Sequence, residues 1–423
     1  MQTNFILKSA AVVFVLIFIL VFVAGLELEK TSKNLSFPQV PPLWTFRSVD
    51  TMKYSRDVAR EKLKDSSYDK IIDQQVKNIA ATGASHIAIG TPYDSEFLPF
   101  LKRWVAAARK YKLHVWFRGN WSGWEGWFGF AKISPEEHLA KTREFLSKNA
   151  DLFEDGDVFT ACPECENGGP GDPRQTGKVT EHRHFLISEY NMMQEIFKKT
   201  DKKVIFNYNS MNGDIARLIM DKDTTRSLGG VVVIDHYVKT PEKLVKDVKD
   251  FAGRSGGRVV LGEFGAPIPD IHGDLSDKEQ ADWIRNALSQ LSEVKELEGI
   301  NYWVSVGGST QIWNDNGSPR EAVAVVRSYF SPDTVSGQVR DEVGKIPENL
   351  SVMVGGKSEI LAQGNFRFIS RNSPTVVIVA APGHKTQTLK LNHSIMPHQI
   401  ILEKERESLW FRFLKFVKDW MGK

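Results

Sequence analysis

Between Leu43 and Phe330 the chain repeats one pattern eight times: a short run of β-branched and aromatic residues, then a longer stretch whose apolar side chains recur at helical spacing. The strand candidates are LWTFRSV (43–49), HIAIG (86–90), HVWFRGN (114–120), DVFTACP (157–163), KVIFNYN (203–209), GVVVIDHY (230–237), RVVLGEFG (258–265) and INYWVSV (300–306). Parallel strands are joined by crossovers, usually helices, so this alternation predicts a parallel sheet covered by helices. Helices are expected over 68–81, where Ile72, Val76, Ile79 and Ala80 share a face, and over 276–298, where Trp283, Ile284, Leu288 and Leu291 do. Eight such units in roughly 290 residues match an α/β fold of the (β/α)8 TIM-barrel type, placed at 42–330. A doubly wound sheet more often stops at six strands, and no Gly-rich dinucleotide or phosphate fingerprint opens any of these helices.

Beyond Phe330 the pattern changes to short strands with turn signals between them: SVMVG, SEILAQG, FRFISRN, TVVIVAAPG, KTQTLKLN and QIILEKE. This predicts a small C-terminal β domain over 331–404, either structural or carbohydrate-binding. At the other end, residues 9–26 are uncharged and almost wholly apolar, and as a helix would reach about 27 Å, enough to span a bilayer. Residues 1–30 are therefore expected to form a cytoplasmic stub and an N-terminal transmembrane helix. Lys8 precedes the run and Glu27 and Glu29 follow it, so the rest of the chain is expected outside, with residues 31–41 as a linker. A cleaved signal peptide, giving a secreted protein, is the competing reading, although Phe22-Val23-Ala24 makes a poor cleavage site. Residues 405–423 place Trp410, Phe413, Leu414, Val417 and Met421 at helical spacing among Arg412, Lys415, Lys418 and Lys423. This basic amphipathic helix either lies in a membrane interface or docks on its own protein.

Composition narrows the chemistry. A net charge of +3, with cations scattered among anions, argues against nucleic acid as a partner. The two cysteines, Cys162 and Cys165, form one C-x-x-C with no second pair, so no metal is expected, and no cofactor either. They are either bridged locally or buried and reduced. Of eleven tryptophans, Trp121, Trp124 and Trp127 cluster in the Gly-rich stretch 118–130, which would form an aromatic wall for a sugar chain or a hydrophobic lid on the barrel.

Barrel chemistry sits at the C-terminal ends of the strands. Those ends carry Arg47 and Asp50, Tyr93, Arg118 and Asn120, Glu164, Glu166 and Asn167, Asn207 and Asn209, His236 and Tyr237, Glu263, and Trp303. An acid pair among amides, an arginine and aromatics suits cleavage of a glycosidic bond, where one carboxylic acid protonates the departing oxygen and a carboxylate attacks.

Four strand ends, VVLGEFGAP, IDHY, INYW and the region CPECENGG, carry a family resemblance over about residues 42–330. The chain resembles clan A of the glycoside hydrolases, the retaining (β/α)8 enzymes that include cellulases, β-mannanases and β-galactosidases. The resemblance implies Glu263 as nucleophile, His236 or Tyr237 as its hydrogen-bond partner, and Trp303 as the floor of the sugar subsite. On strand four the clan's Asn-Glu is replaced by Cys162-Pro163-Glu164-Cys165-Glu166-Asn167, so either Glu164 or Glu166 would be the acid/base, Glu164 preferred. The missing amide leaves the sugar 2-hydroxyl to Asn120, Asn167 or Asn207, and Trp121 joins the expected substrate contacts. Arg118 or Arg47 would keep the nucleophile ionised, while Glu263 and burial would raise the pKa of the acid. Carboxyl groups about 5 to 5.5 Å apart would mean retention, and about 6.5 to 9.5 Å inversion.

The resulting expectation is a membrane-anchored, extracytoplasmic glycoside hydrolase acting on β-linked oligo- or polysaccharides. The alternative is an inactive barrel that binds cell-surface glycans.

Overall fold

A computed structural model describes residues 42–169, 171–370, 374–393 and 397–405. The expected transmembrane helix and linker (1–41) and nearly all of the C-terminal helix lie outside the described residues. Among the described residues no helix is long and apolar enough to cross a membrane. The chain divides into two compact units, with the boundary between Ser331 and Pro332.

The first unit is the barrel. Its strands are β1 (Phe46–Asp50), β2 (His86–Ile89), β3 (His114–Phe117), β4 (Val158–Phe159), β5 (Ser210–Asn212), β6 (Val231–Asp235), β7 (Arg258–Phe264) and β8 (Leu297–Tyr302). They pair in the order β4-β3-β2-β1-β8-β7-β6-β5, and every pairing is parallel. A parallel bridge between Val158 and Ile205 joins the two edges, with Phe159 N–H donating to Ile205 O at 2.8 Å, so the sheet closes. Alternate residues of each strand face opposite ways. Phe46, Ala88, Trp116, Val158, Tyr208, Val231, Val233 and Val260 fill the lumen, while the other faces meet the helices in a larger core. In the lumen Phe46 meets Trp116 and Tyr208 edge-on, at centroid distances of 5.2 and 5.3 Å. That packed plug leaves only the C-terminal rim open for chemistry.

The helices form where spacing and caps agree. The helix Asp69–Ala80 buries Ile72, Val76 and Ile79, each contributing about 1.5 to 3 kcal/mol on burial. Ser276 and Glu279 make a capping box for the helix Asp277–Leu291, and Thr240 caps Pro241–Ser255. The helix expected over 276–298 stops at Leu291, because Leu297 begins β8. The fifth strand also differs from expectation: the apolar run 203–209 contributes only the bridge at Ile205, and the ladder to β6 is made by Ser210–Asn212.

Among its described residues the second unit holds seven strands in two sheets: β9 (Thr334–Asp341), β10 (Ser351–Val354), β11 (Lys357–Ile360), β12 (Asn365–Ile369), β13 (Thr375–Ala380), β14 (Gln387–Leu391) and β15 (His398–Leu402). Six correspond to the expected runs; β9 was not among them. Val335, Val339, Leu350, Val352, Phe366, Val377, Val379 and Leu402 form its own core.

Candidate active site

Strand parity decides which side chains enter the barrel mouth. Asp50 follows Phe46 and Ser48 on the luminal side of β1, Arg118 follows Trp116 just past β3, and Asp235 follows Val231 and Val233 on β6. Strand β7 breaks the rule usefully. Its register shifts against both neighbours at Gly262, so Glu263 turns into the mouth while Phe264 packs outward in the main core. Only glycine fits at 262, since a Cβ there would collide with the Asp235 carboxylate.

Arg118 is the hub of this layer. It is 7% exposed, and its guanidinium lies 4.9 Å from the Trp116 ring centroid. Nη1 donates to Glu263 Oε1 (2.9 Å) and Asp50 Oδ2 (3.2 Å), and Nη2 to Asp235 Oδ2 (2.9 Å) and Ser210 Oγ (3.2 Å). Burial alone would pull its pKa down, but Asp235, Glu263 and Asp50 outweigh that and hold it above the ordinary value, so the cation is permanent. One cation cannot balance three carboxylates, two of them buried. Burial pushes Asp50 up to about 7, with Arg118 opposing and Glu263 adding to the rise, and Asp235 is raised well above the carboxylate range for the same first reason. Protons therefore reside on the supporting aspartates near neutral pH. The other oxygen of Glu263, Oε2, accepts from the Tyr237 hydroxyl at 2.8 Å. Burial and the Glu263 charge keep that phenol protonated far above pH 10. Trp303 stands edge-on to Tyr237, with centroids 5.9 Å apart.

On the strand-four side the setting is different. Glu164 is half-buried, with φ 48° and ψ 54°, a left-handed conformation unusual for a residue with a side chain. Its Oε1 accepts from Asn212 Nδ2 (3.1 Å) and its Oε2 from Asn167 Nδ2 (3.3 Å). Burial, then the charges of Glu263 and Glu166, raise its pKa to about 7, with Arg118 opposing. Glu166 is 3% exposed and turned beneath the loop, where Oε1 accepts from both the backbone N–H and the side-chain amide of Asn212, each at 3.0 Å. Cys162 and Cys165 are both buried and joined by a disulfide that brackets Pro163 and Glu164. Gly169 lies directly on the Trp124 ring with no room for a Cβ, which ties this loop to the one after β3.

An open cavity of about 340 Å³ is lined by Asp50, Arg118, Asn120, Trp127, Glu164, Glu263 and Trp303, with Lys53, Tyr54, Arg56, Asp57 and Glu125 at its wall. The structure therefore brings together Glu263, Glu164, Arg118, Tyr237 and Trp303, with Asn167 at the edge. Asn120 borders the cavity, but its amide is engaged below it by Trp121 N–H, His138 and Cys162. Four expected contacts lie elsewhere. His236 turns outward to Asp247 at 2.8 Å, so of that adjacent pair it is Tyr237 that bonds Glu263. Arg47 has outward parity and donates to the Gly83 and Trp44 carbonyls. Asn207 donates to Gly229 O at the far end of β6, a consequence of the displaced fifth strand. Trp121 is buried with its indole N–H on Thr142, beside a separate cavity of about 510 Å³ that includes Tyr93, Phe130 and Phe145 but none of the strand-end glutamates. Trp124 is fully buried and stacks on Phe185. The 118–130 loop is thus a lid for its first two tryptophans and a cleft wall at Trp127, which carries Arg56 at 4.7 Å from its ring. Asn212, Asp235 and the Lys53–Asp57 turn belong to the site and were not anticipated. Parity from Val231 and Val233 would have found Asp235. Among the described residues no group of three or more His, Cys, Asp or Glu is arranged to hold a metal ion.

No protein-family model and no curated protein sequence matches the chain. Solved structures do. A GH5_18 variant from Bifidobacterium longum subsp. longum, in complex with Manβ1-4GlcNAc, aligns with a TM-score of 0.51 at 14% identity, over 71% of this chain and 83% of that one. A fungal β-1,4-galactanase aligns at 0.47 and 15% identity, over 67% and 99%. Bacteroides uniformis β-glucuronidase 2 aligns at 0.47 and 10%, over 84% and 46%. The chain spans about half the length of the β-glucuronidases it matches. The fold likeness rests on the first of these, and at such identity it concerns fold alone. At that level the resemblance to the clan A barrel is borne out: the barrel has the fold of glycoside hydrolases.

Proposed function

We propose, on the premise of that barrel fold, that the chain is a retaining glycoside hydrolase of β-linked glycans, with Glu263 as nucleophile and Glu164 as acid/base. The observation that carries this reading is the contrast between two glutamates lining one open cavity. Glu263 has both oxygens held by donors, one of them a permanent cation, which favours an attacking carboxylate. Glu164 has only neutral amide donors and is protonated up to about pH 7, which favours a proton donor. In the first step a Glu263 oxygen bonds to the anomeric carbon as the glycosidic C–O bond breaks, and the Glu164 proton passes to the leaving oxygen. In the second, Glu164 takes a proton from water, which attacks the same carbon and releases Glu263. Trp303 and Trp127 supply faces for sugar rings, and Tyr237 and Arg118 hold the nucleophile in line.

The test is hydrolysis of a panel of aryl β-glycosides and manno-, gluco- and galacto-oligosaccharides. Turnover abolished by Glu263→Gln, a product of retained anomeric configuration, and azide rescue of Glu164→Ala but not Glu166→Ala are expected. Binding without turnover in the native chain would instead make it a glycan-binding barrel. We also read residues 9–26 as an uncleaved anchor that holds the catalytic unit outside the membrane, on the strength of that uncharged run and the charges flanking it. Extraction of the protein by alkaline carbonate would overturn the anchor.

A further inference from the structure

The strand-four glutamates differ in what they touch, and Asn212 connects them. Asn212 ends β5 and is absent from every strand-four motif, yet its Nδ2 lies 3.1 Å from Glu164 Oε1 and 3.0 Å from Glu166 Oε1. A primary amide has two N–H bonds, so it can donate to both carboxyl groups at once. Its carbonyl end could not serve Glu166 Oε1, which already accepts the Asn212 backbone N–H. Glu166 also takes the Asn212 backbone N–H at 3.0 Å, and is itself almost fully buried. It therefore fixes which end of the amide is presented to Glu164.

We propose that Glu166 is not a second catalytic carboxylate but the positioning residue of the acid/base, acting on Glu164 through the shared amide of Asn212. The arrangement has a chemical consequence. Asn212 holds Oε1 through the shorter and more buried of the two amide bonds, 3.1 Å against 3.3 Å from the exposed Asn167 to Oε2, so Oε1 is the firmer acceptor and the acidic proton of neutral Glu164 is favoured on Oε2. The proton delivered to the leaving oxygen thus comes from one named atom, held by a side chain from the neighbouring strand. The charge of Glu166 also adds to the rise in the Glu164 pKa, after burial and Glu263. The titratable groups acting on Glu164 include Glu263, Glu166, Arg118, Glu125 and Asp235, and those acting on Glu166 from other elements include Glu125, Arg174, His182 and Asp235.

This inference rests on the proposed role of Glu164, and leaving-group dependence separates the two. Protonation matters for a poor leaving group such as a sugar or alkyl alcohol and hardly at all for dinitrophenolate. With Glu164→Ala as reference, Glu166→Ala and Asn212→Ala are expected to lower kcat/KM on a β-disaccharide by on the order of 10²-fold, the scale of a displaced catalytic group, and on the dinitrophenyl glycoside by less than about threefold. Glu166→Gln keeps an oxygen for both Asn212 donors. It should hold disaccharide activity within about threefold of native while moving the alkaline limb of kcat/KM to lower pH. Uniform loss on both substrates, or Glu166→Gln as damaged as Glu166→Ala on the disaccharide, overturns the proposal. Azide rescue of Glu166→Ala does so too, since it would make Glu166 the acid/base. If Glu164→Ala itself shows no leaving-group dependence, the functional reading fails instead. Thermal unfolding of each variant identifies any that do not fold, and Glu166→Gln, the most conservative, then decides alone.

Discussion

The two sides of the barrel mouth hold the same side chain in opposite electrostatic settings. On the β7 side, Glu263 meets a permanent guanidinium and a phenol that does not titrate in the working range. On the β4 side, Glu164 meets two amides, partial burial and the acidic neighbours Glu263, Glu166 and Glu125. On the proposed reading, role follows surroundings and not residue type: cationic donors favour the carboxylate, while burial and like charge favour the acid. The supporting layer follows the same logic. Asp50 and Asp235 bond Arg118 and, pushed up chiefly by burial, take up protons themselves.

The comparison can be broken at either side. The largest effect is expected for Glu263→Gln, which removes the nucleophile and should cost on the order of 10⁴-fold or more in kcat with little change in folding, measured by single-turnover kinetics beside circular dichroism. Arg118→Met takes the shared cation from Asp50, Asp235 and Glu263 and should lower stability by about 3 to 5 kcal/mol, read from the urea midpoint; a change below about 1 kcal/mol would show the hub to be dispensable. Tyr237→Phe removes one of the two donors on Glu263 and should cost about 1.5 to 3 kcal/mol in transition-state stabilisation, or roughly 10- to 10²-fold in kcat/KM, whereas His236→Ala should spare the chemistry. The pH dependence sharpens the β4 side. Because Glu164 must be protonated, kcat/KM should fall about tenfold per pH unit above its pKa of about 7. Stability should change in the same direction: Glu164 and Asp50 are raised from 4.5 and 3.8 to about 7, so their contribution is complete below pH 4 and is lost as pH rises through 7.

Much of this was legible in the sequence, and what was not has definite causes. The barrel followed from counting eight alternations, and Glu263 from an apolar strand ending in Glu-Phe-Gly. Arg118 was visible as a strand-end cation, but its bonds to β1, β6 and β7 are a sum over strands that no local pattern contains. The fifth strand misled because its apolar residues lie before the part that pairs. Phe206 stacks on Phe197 and meets Tyr190 at a tilt, both on the preceding helix Val179–Thr200, and the paired segment, Ser-Met-Asn, has no periodic signal. That displacement exchanged Asn207 for Asn212. His236 and Tyr237 are adjacent, so parity alone says that one faces in and one out, and the Asp247 partner that draws the histidine away sits on a helix eleven residues later. In the second unit β9 escaped notice because TVSGQVRD buries only two valines among polar residues.

With Glu164 in its proposed role, the left-handed backbone there would make heat resistance and catalysis select in opposite directions at this position. A left-handed conformation costs a residue with a Cβ about 1 to 2 kcal/mol that glycine does not bear. Glu164→Gly should therefore raise the melting temperature slightly while removing the acid/base, and a library screened for thermal survival alone would enrich inactive chains. Combined selection for survival and turnover should instead return Glu at 164 every time.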